Sequence, residues 1–329
     1  MNIALKPLFL VLLAGLSSSA FAEETTKPVT EQLVDTLTQL SGGPHAKFRA
    51  NHAKGIVAEG VFTPAASAAE ITKASIFTTS NPVTVRYSDA TGVPNIPDAD
   101  GNAFPKGIAI RFNLPDQSLA DLVCISVNGF PSATPEDFLG LLNAVAASGK
   151  ETTKPTTIEK YLGSHPAALK FVTTPKLPPE SFATQAFFGV NAFKFTNAKG
   201  ETHYGRYRIE PMNGQKFLSP EAAKAADANY LMNELPVRLK NGPYSYKISV
   251  QIADAGDTLN DATVTWPDTR RVVELGTLQI KNIKADGASY ERQVMFSPLN
   301  LVDGIEPSDD PILLARPGAY AVSFGRRLQ

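Results

Sequence analysis

Phe296-Ser297-Pro298-Leu299-Asn300-Leu301-Val302-Asp303-Gly304-Ile305-Glu306-Pro307-Ser308 leads on to Arg316-Pro317-Gly318-Ala319-Tyr320, an arginine and a tyrosine four residues apart. On a helix that spacing puts guanidinium and phenol on one face, and its ordinary meaning is a surface pair worth a few tenths of a kcal/mol. Pro317 removes one backbone hydrogen bond from that helix, which leads us to expect a kink just before Tyr320. Two other stretches are unusual: Arg49-Ala50-Asn51-His52-Ala53-Lys54-Gly55, followed by a β-type run to Phe62, and Val85-Arg86-Tyr87-Ser88. Singly, each has an ordinary reading, since a histidine beside a strand is commonly structural and a serine after one is commonly a turn residue.

Working outward, alternating or β-branched segments predict strands at Val83 to Tyr87, Gly107 to Phe112, Leu122 to Val127, Phe187 to Phe195, His203 to Ile209, Tyr244 to Ile252 and Val272 to Ile283. Helical spacing predicts a helix from Gln32 to Leu40, stopped by Gly42-Gly43. Thr134-Pro135-Glu136-Asp137 reads as a helix start, with a threonine cap, a first-turn proline and acids near the positive end, and Phe138 to Ala147 follows. Ser219-Pro220-Glu221 opens another helical region that ends at Asn241-Gly242-Pro243. Asp100-Gly101-Asn102 and Asn197-Ala198-Lys199-Gly200 suggest hairpins. Strands in the middle with helices around them predict an α+β fold built on a large antiparallel sheet, flat or closed as a barrel.

The N-terminus has a basic residue at Lys6, an apolar run from Pro7 to Leu16, and small residues ending Ala20-Phe21-Ala22. That order reads as a secretory signal peptide over 1–22, too short to span a bilayer, with a soluble mature chain from near Glu23. A hydrophobic share of 43% is ample for a large core. A net charge of −1, with no run of about five like charges, argues against nucleic acid and against a polybasic membrane patch. No later stretch predicts a membrane span. Cys124 is the sole cysteine, which excludes an internal disulfide, zinc ribbons, iron–sulfur clusters and CxxC chemistry. The four histidines, His45, His52, His165 and His203, are too few for a His-rich metal cage.

Taken together, the three unusual stretches resemble the haem catalase family. The C-terminal stretch is similar to its proximal signature, F-S-P-x-N-x-V-x-G-I-E-P-S-x-D followed by R-x-x-x-Y, without a gap over about 25 residues. R-x-x-H-A-x-G resembles the distal histidine motif, and V-R-[FY]-S the next haem-contacting strand. Asp261-Ala262-Thr263-Val264-Thr265-Trp266-Pro267 resembles the D-x-T-x-x-W-P element. The likeness covers most of residues 44 to 329 and looks most like the small catalase-related peroxidases of bacteria. It implies one catalase-like haem-binding domain over residues 23–329, an antiparallel β-barrel of about eight strands with flanking helices. It also implies that the long N-terminal arm and C-terminal helical domain of typical catalases are lacking, leaving a shorter, wider channel.

The resemblance implies haem b with Tyr320 as proximal iron ligand, and Arg316 favouring the phenolate. His52 would be the distal acid–base that moves a proton between the two peroxide oxygens, with Ser88 orienting its ring. Arg49, Arg86 and Arg327 match the arginines that pair with haem propionates, and Phe138 and Phe296 are candidates for packing on the macrocycle. One departure concerns a distal asparagine that helps to position peroxide: without a gap Ser126 takes its place, and Asn128 reaches it only after a two-residue shift. Asn51 stands where catalases carry Val or Thr. These departures favour a peroxidase that uses hydrogen peroxide or organic peroxide with a small organic reductant, with weak or no catalase activity, for peroxide detoxification in the periplasm. True catalase, a fatty-acid hydroperoxide isomerase and a periplasmic haem carrier or peroxide sensor stay as alternatives, and a homo-oligomer stays open.

Overall fold

Residues that alternate apolar and polar in sequence alternate between two faces of a strand, and the computed structural model, which describes residues 27–329, turns most of the predicted runs into strands. The signal peptide expected over 1–22 lies outside the described residues. The strands are β1 (Gly55–Pro64), β2 (Asn81–Ser88), β3 (Gly107–Asn113), β4 (Leu119–Ile125), β5 (Phe187–Phe188), β6 (Phe193–Thr196), β7 (Thr202–Pro211), β8 (Tyr244–Ile252), β9 (Val272–Ile283) and β10 (Ile305–Pro307). The helices are α1 (Val29–Leu40), α2 (Pro135–Ser148), α3 (Thr157–Ser164), α4 (Pro166–Thr173), α5 (Pro220–Ala225), α6 (Tyr230–Lys240), α7 (Gly287–Gln293) and α8 (Pro311–Arg327).

Antiparallel pairing runs β1–β2–β3–β4–β5–β7–β8–β9 and returns to β1, so eight strands close a barrel. Closure leaves these strands no open edge. β6 pairs further along β7 and carries the short β10 on its outer side. Val85, Ile110 and Leu122 lie in one row across β2, β3 and β4 and point into the barrel, where all three are buried. Phe62, Phe77 and Phe112 meet edge to face inside, with centroids 5.4 to 5.9 Å apart, the arrangement aromatic quadrupoles favour.

Several local expectations change. The run from Phe187 to Phe195 is two strands: Gly189 N–H still donates to Tyr207 O on β7 at 2.8 Å, after which the chain leaves that ladder and rejoins it at Phe193. The helical region after Ser219 is also two pieces, α5 and α6. Asp98, from a distant loop, accepts Leu231 N–H at 2.7 Å and so caps the start of α6. Asp100-Gly101-Asn102 forms a 3-10 turn, in which the Asp100 carboxylate accepts Asn102 N–H at 2.7 Å, rather than a hairpin tip. α8 continues as helix through Pro317. Among the described residues no helix is long and apolar enough to cross a membrane.

Candidate active site

The outer face of the barrel at β2, β3 and β4 is the floor of a cavity. Strand register places Arg86, Ala109 and Val123 in one row there and Ser88, Gly107 and Ile125 in the next, and all six line the cavity. The facing wall is α8, whose Ala315, Arg316, Ala319, Tyr320, Ser323 and Arg327 line it at helical spacing. α1 and α2 close the sides, and the space free of atoms, mouth included, is about 1460 Å³.

His52 enters from the loop before β1 with a left-handed backbone, φ 54°, uncommon for a non-glycine residue. The Arg86 guanidinium holds that backbone by donating to His52 O at 2.8 Å. On the ring, Nδ1 lies 3.0 Å from Ser88 Oγ. A Cβ at Gly107 would stand 2.8 Å from Ser88 Oγ and 3.0 Å from His52 Nδ1 and Cε1, so the bare glycine makes room for this pair. Burial, with Arg86, Arg49, Arg316 and Lys106 around it, pushes the imidazole down to about 3, so it is neutral at ordinary pH. Behind the floor, a buried ion pair between Lys106 Nζ and Asp89 Oδ1 at 2.5 Å joins the residues next to Gly107 and Ser88. Burial there raises the Asp89 carboxyl to about 7, against the pull of Lys106.

Across the cavity, Arg316 Nε donates to Tyr320 Oη at 3.0 Å. Arg316 Nη1 donates to Asn191 Oδ1 at 2.8 Å, and the Asn191 amide donates to Asp310 Oδ2 at 2.8 Å. The other Asp310 oxygen caps α8, accepting Ile312 N–H at 2.9 Å and Leu313 N–H at 3.3 Å. The segment ahead of α8 is docked as firmly. Asp121, paired bidentately with Arg111, also accepts Ser297 N–H at 2.9 Å and Asn300 Nδ2 at 2.7 Å. Gly304, at φ 92°, passes so near the Ala74 backbone that a Cβ would lie 2.9 Å from its nitrogen.

Arg49, Arg86 and Arg327 gather at one edge of the cavity. Glu291, on α7, accepts from Arg86 and, at 3.2 Å, from Arg49 Nη1. Arg327 Nη2 donates to Val294 O at 2.7 Å, and Arg49 Nη2 reaches the same carbonyl at 3.2 Å. Burial and the two neighbouring guanidiniums hold Arg49 well below the usual arginine range, a sign of crowded positive charge.

Thus His52, Ser88, Arg49, Arg86, Phe138, Phe296, Arg316, Tyr320 and Arg327 all line one cavity, as does Asn51. Phe138 packs on Phe130, centroids 5.0 Å apart, and the Arg111 guanidinium lies 5.1 Å from the Phe296 centroid. Ser126 is not among the lining residues. It sits just past the end of β4, where its hydroxyl accepts Lys106 N–H at 2.9 Å and its own N–H donates to Lys106 O at 2.9 Å. Asn128 is not among them either. Sequence reading singled out neither Asn191 nor Glu291, and it took in Asp310 only as the last position of the C-terminal signature, with no role. For Asp310 a signal existed: Asp310-Pro311 repeats the cap-and-proline pattern read at Thr134-Pro135.

A sequence model of the family described as "Catalase" matches residues 33–328. A catalase-related peroxidase of Mycolicibacterium paratuberculosis is 33% identical over 301 residues, covering 90% of this chain and 94% of that protein. A second, from Synechococcus elongatus, is 30% identical over 325 residues, covering 97% and 94%. A catalase of Vibrio vulnificus is 30% identical over 83% of this chain, which spans only 56% of that protein. Among solved structures, a fungal catalase and catalase A of Saccharomyces cerevisiae each superpose with a TM-score of 0.76 over 90% of this chain. At 21% identity, these two speak to the fold alone.

Proposed function

Because the chain belongs to the catalase family, we propose that it is a haem-dependent peroxidase that reduces hydrogen peroxide or organic peroxides with an organic electron donor and dismutes hydrogen peroxide weakly or not at all. The observation that carries this reading is the pairing of His52–Ser88 with Tyr320–Arg316 across one cavity. The preference for peroxidase turnover rests on two supports. The relatives matched over 94% of their length are named catalase-related peroxidases. In addition, Ser126, which stands in for the family's distal asparagine, turns its hydroxyl to the Lys106 backbone.

Family membership implies a haem cofactor, and the described residues fit one. A phenol backed by a guanidinium faces the cavity, as an anionic oxygen ligand requires. Three guanidiniums with one carboxylate among them leave two positive charges at the arginine edge, which suits the two carboxylates of haem b, the form proposed here. Bound there, the haem would supply a redox-active iron able to take up the oxidising power of a peroxide. Tyr320 would hold the iron through its phenolic oxygen, to which Arg316 Nε donates at 3.0 Å. In the tautomer where Nδ1–H donates to Ser88, His52 Nε2 keeps its lone pair. It can then take the proton from one peroxide oxygen and return it to the other as the O–O bond breaks, a role worth about 10²–10⁴-fold. A neutral imidazole is the form that can start this cycle, and its surroundings hold it neutral. A carrier of haem would have no use for the His52–Ser88 pair.

The pattern at residues 1–22 supports export to the periplasm and a mature chain from near Glu23 that forms one domain. The functional reading is tested by measuring oxygen release and phenolic dye oxidation side by side on the haem-loaded protein. Dye oxidation with little oxygen supports it. Vigorous oxygen release means a true catalase, and full haem loading with neither activity means a carrier or sensor.

A further inference from the structure

We propose that the organic donor is a small phenol, that it docks in a second cavity at the arginine edge, and that His45 takes its proton. This rests on the peroxidase reading above. The second cavity lies between α1, α8 and the loop 41–50 that leads to His52, and holds about 900 Å³ of atom-free space, mouth included. Val34, Arg49, Ala50 and Ser323 line both cavities, so the two adjoin along these residues. Two of the four are tied by Ala50 N–H donating to Ser323 Oγ at 3.1 Å. A molecule in the second cavity would therefore sit beside the edge where the haem carboxylates are proposed to bind.

Two groups in that cavity select the ligand's chemistry. Phe48 lines it and is 46% exposed, so an aromatic side chain is accessible to an aromatic guest there. His45 also lines it, with Nε2 2.9 Å from Ser41 O. A carbonyl oxygen only accepts, so Nε2 carries the hydrogen. In the neutral ring Nδ1 is then left as an acceptor. A phenol gives up its electron readily only if its proton leaves too, and a cavity with an imidazole acceptor and an accessible aromatic side chain provides for both. For a peroxide ROOH and a phenol ArOH the balance is ROOH + 2 ArOH → ROH + H2O + 2 ArO•. One O–O bond and two phenolic O–H bonds break. Two electrons pass to the peroxide oxygens, and each phenolic proton goes to His45 and on to water before ending in the products.

The test uses the haem-loaded full chain and guaiacol as the phenol. Equilibrium dialysis with resting enzyme should show guaiacol bound, with affinity at least tenfold weaker in Ala46→Trp, which fills the cavity from an exposed position. With peroxide, the ratio of the guaiacol rate to that of ferrocyanide, a donor with no proton to lose, should fall at least tenfold in His45→Leu. Undiminished binding in Ala46→Trp overturns the site, and an unchanged ratio in His45→Leu overturns the proton role. If wild-type enzyme oxidises neither donor, the peroxidase reading fails. Dialysis still decides the site: binding sensitive to Ala46→Trp keeps it, and insensitive binding removes it.

Discussion

Gly107→Ala tests how His52, the proposed distal acid–base, is held. The added methyl would lie 2.8 Å from Ser88 Oγ and 3.0 Å from His52 Nδ1 and Cε1, whereas carbon contacts settle at roughly 3.5–4.0 Å. Either the serine hydroxyl rotates away or the imidazole shifts by about half an ångström or more, and both break the 3.0 Å bond between them. The His52 backbone cannot follow freely, because Arg86 Nη2 holds its carbonyl at 2.8 Å. Overpacking of this kind costs about 1–3 kcal/mol, a loss of a few degrees in Tm for a chain of this size. The larger effect falls on the chemistry, where displacing a reacting group by about 1 Å costs on the order of 100-fold. The assay is kcat/KM for peroxide on haem-loaded protein, normalised to haem content. A fall of about 30- to 100-fold with full haem loading is expected. Wild-type kcat/KM in a variant whose haem content is also wild-type would refute the claim that this contact sets the histidine.

Two further predictions concern charge. Glu291→Gln leaves Arg49 and Arg86 without their carboxylate. Because Glu291 is 17% exposed, the cost should be near the lower end for a broken buried pair, about 3 kcal/mol, or about 5 °C in Tm. Haem carboxylates would restore counter-charge, so the haem-free protein should lose more Tm than the haem-loaded one; equal losses would count against propionate binding at this edge. The second is a pH effect in haem-free protein. The folded His52 titrates near 3 and an unfolded histidine near 6.5, so the unfolded chain binds more protons between those values and stability rises with pH there. Asp89, raised to about 7, binds its proton more tightly when folded and gives the opposite slope from about 4 to 7. Comparing urea unfolding of wild type with His52→Gln isolates the histidine. The free-energy difference, wild type minus variant, should climb by about 1 kcal/mol per pH unit on average from pH 4.5 to 6.5 and level off above 7. A flat difference would contradict the buried neutral ring.

Much of this was legible in sequence because it rests on period and spacing. Alternation along Val83 to Tyr87 and Gly107 to Phe112 marks strands, and the same alternation fixes which residues leave the barrel for the cavity. The four-residue step from Arg316 to Tyr320 survives as a 3.0 Å hydrogen bond. Ser126 shows the limit of a residue-by-residue match. A linear alignment carries no side-chain direction, and β4 ends at Ile125, so the next residue turns to the Lys106 backbone. Asn191 lies in the break between β5 and β6, where no periodicity forecasts which way a side chain points. Glu291 sits on a seven-residue helix, and only the fold brings it to arginines over 200 positions away. His45 drew attention merely as one of four histidines, because a fixed tautomer is visible only once Ser41 O is seen beside Nε2.

The most direct measurement is a haem titration of the purified haem-free chain, followed by the Soret band, for wild type and Tyr320→Phe. Wild type should saturate at one haem per chain, while the phenylalanine variant, with its arginine edge intact, should fail to hold haem through gel filtration. An unchanged Soret band and stoichiometry in Tyr320→Phe would mean that the iron is held by some other group.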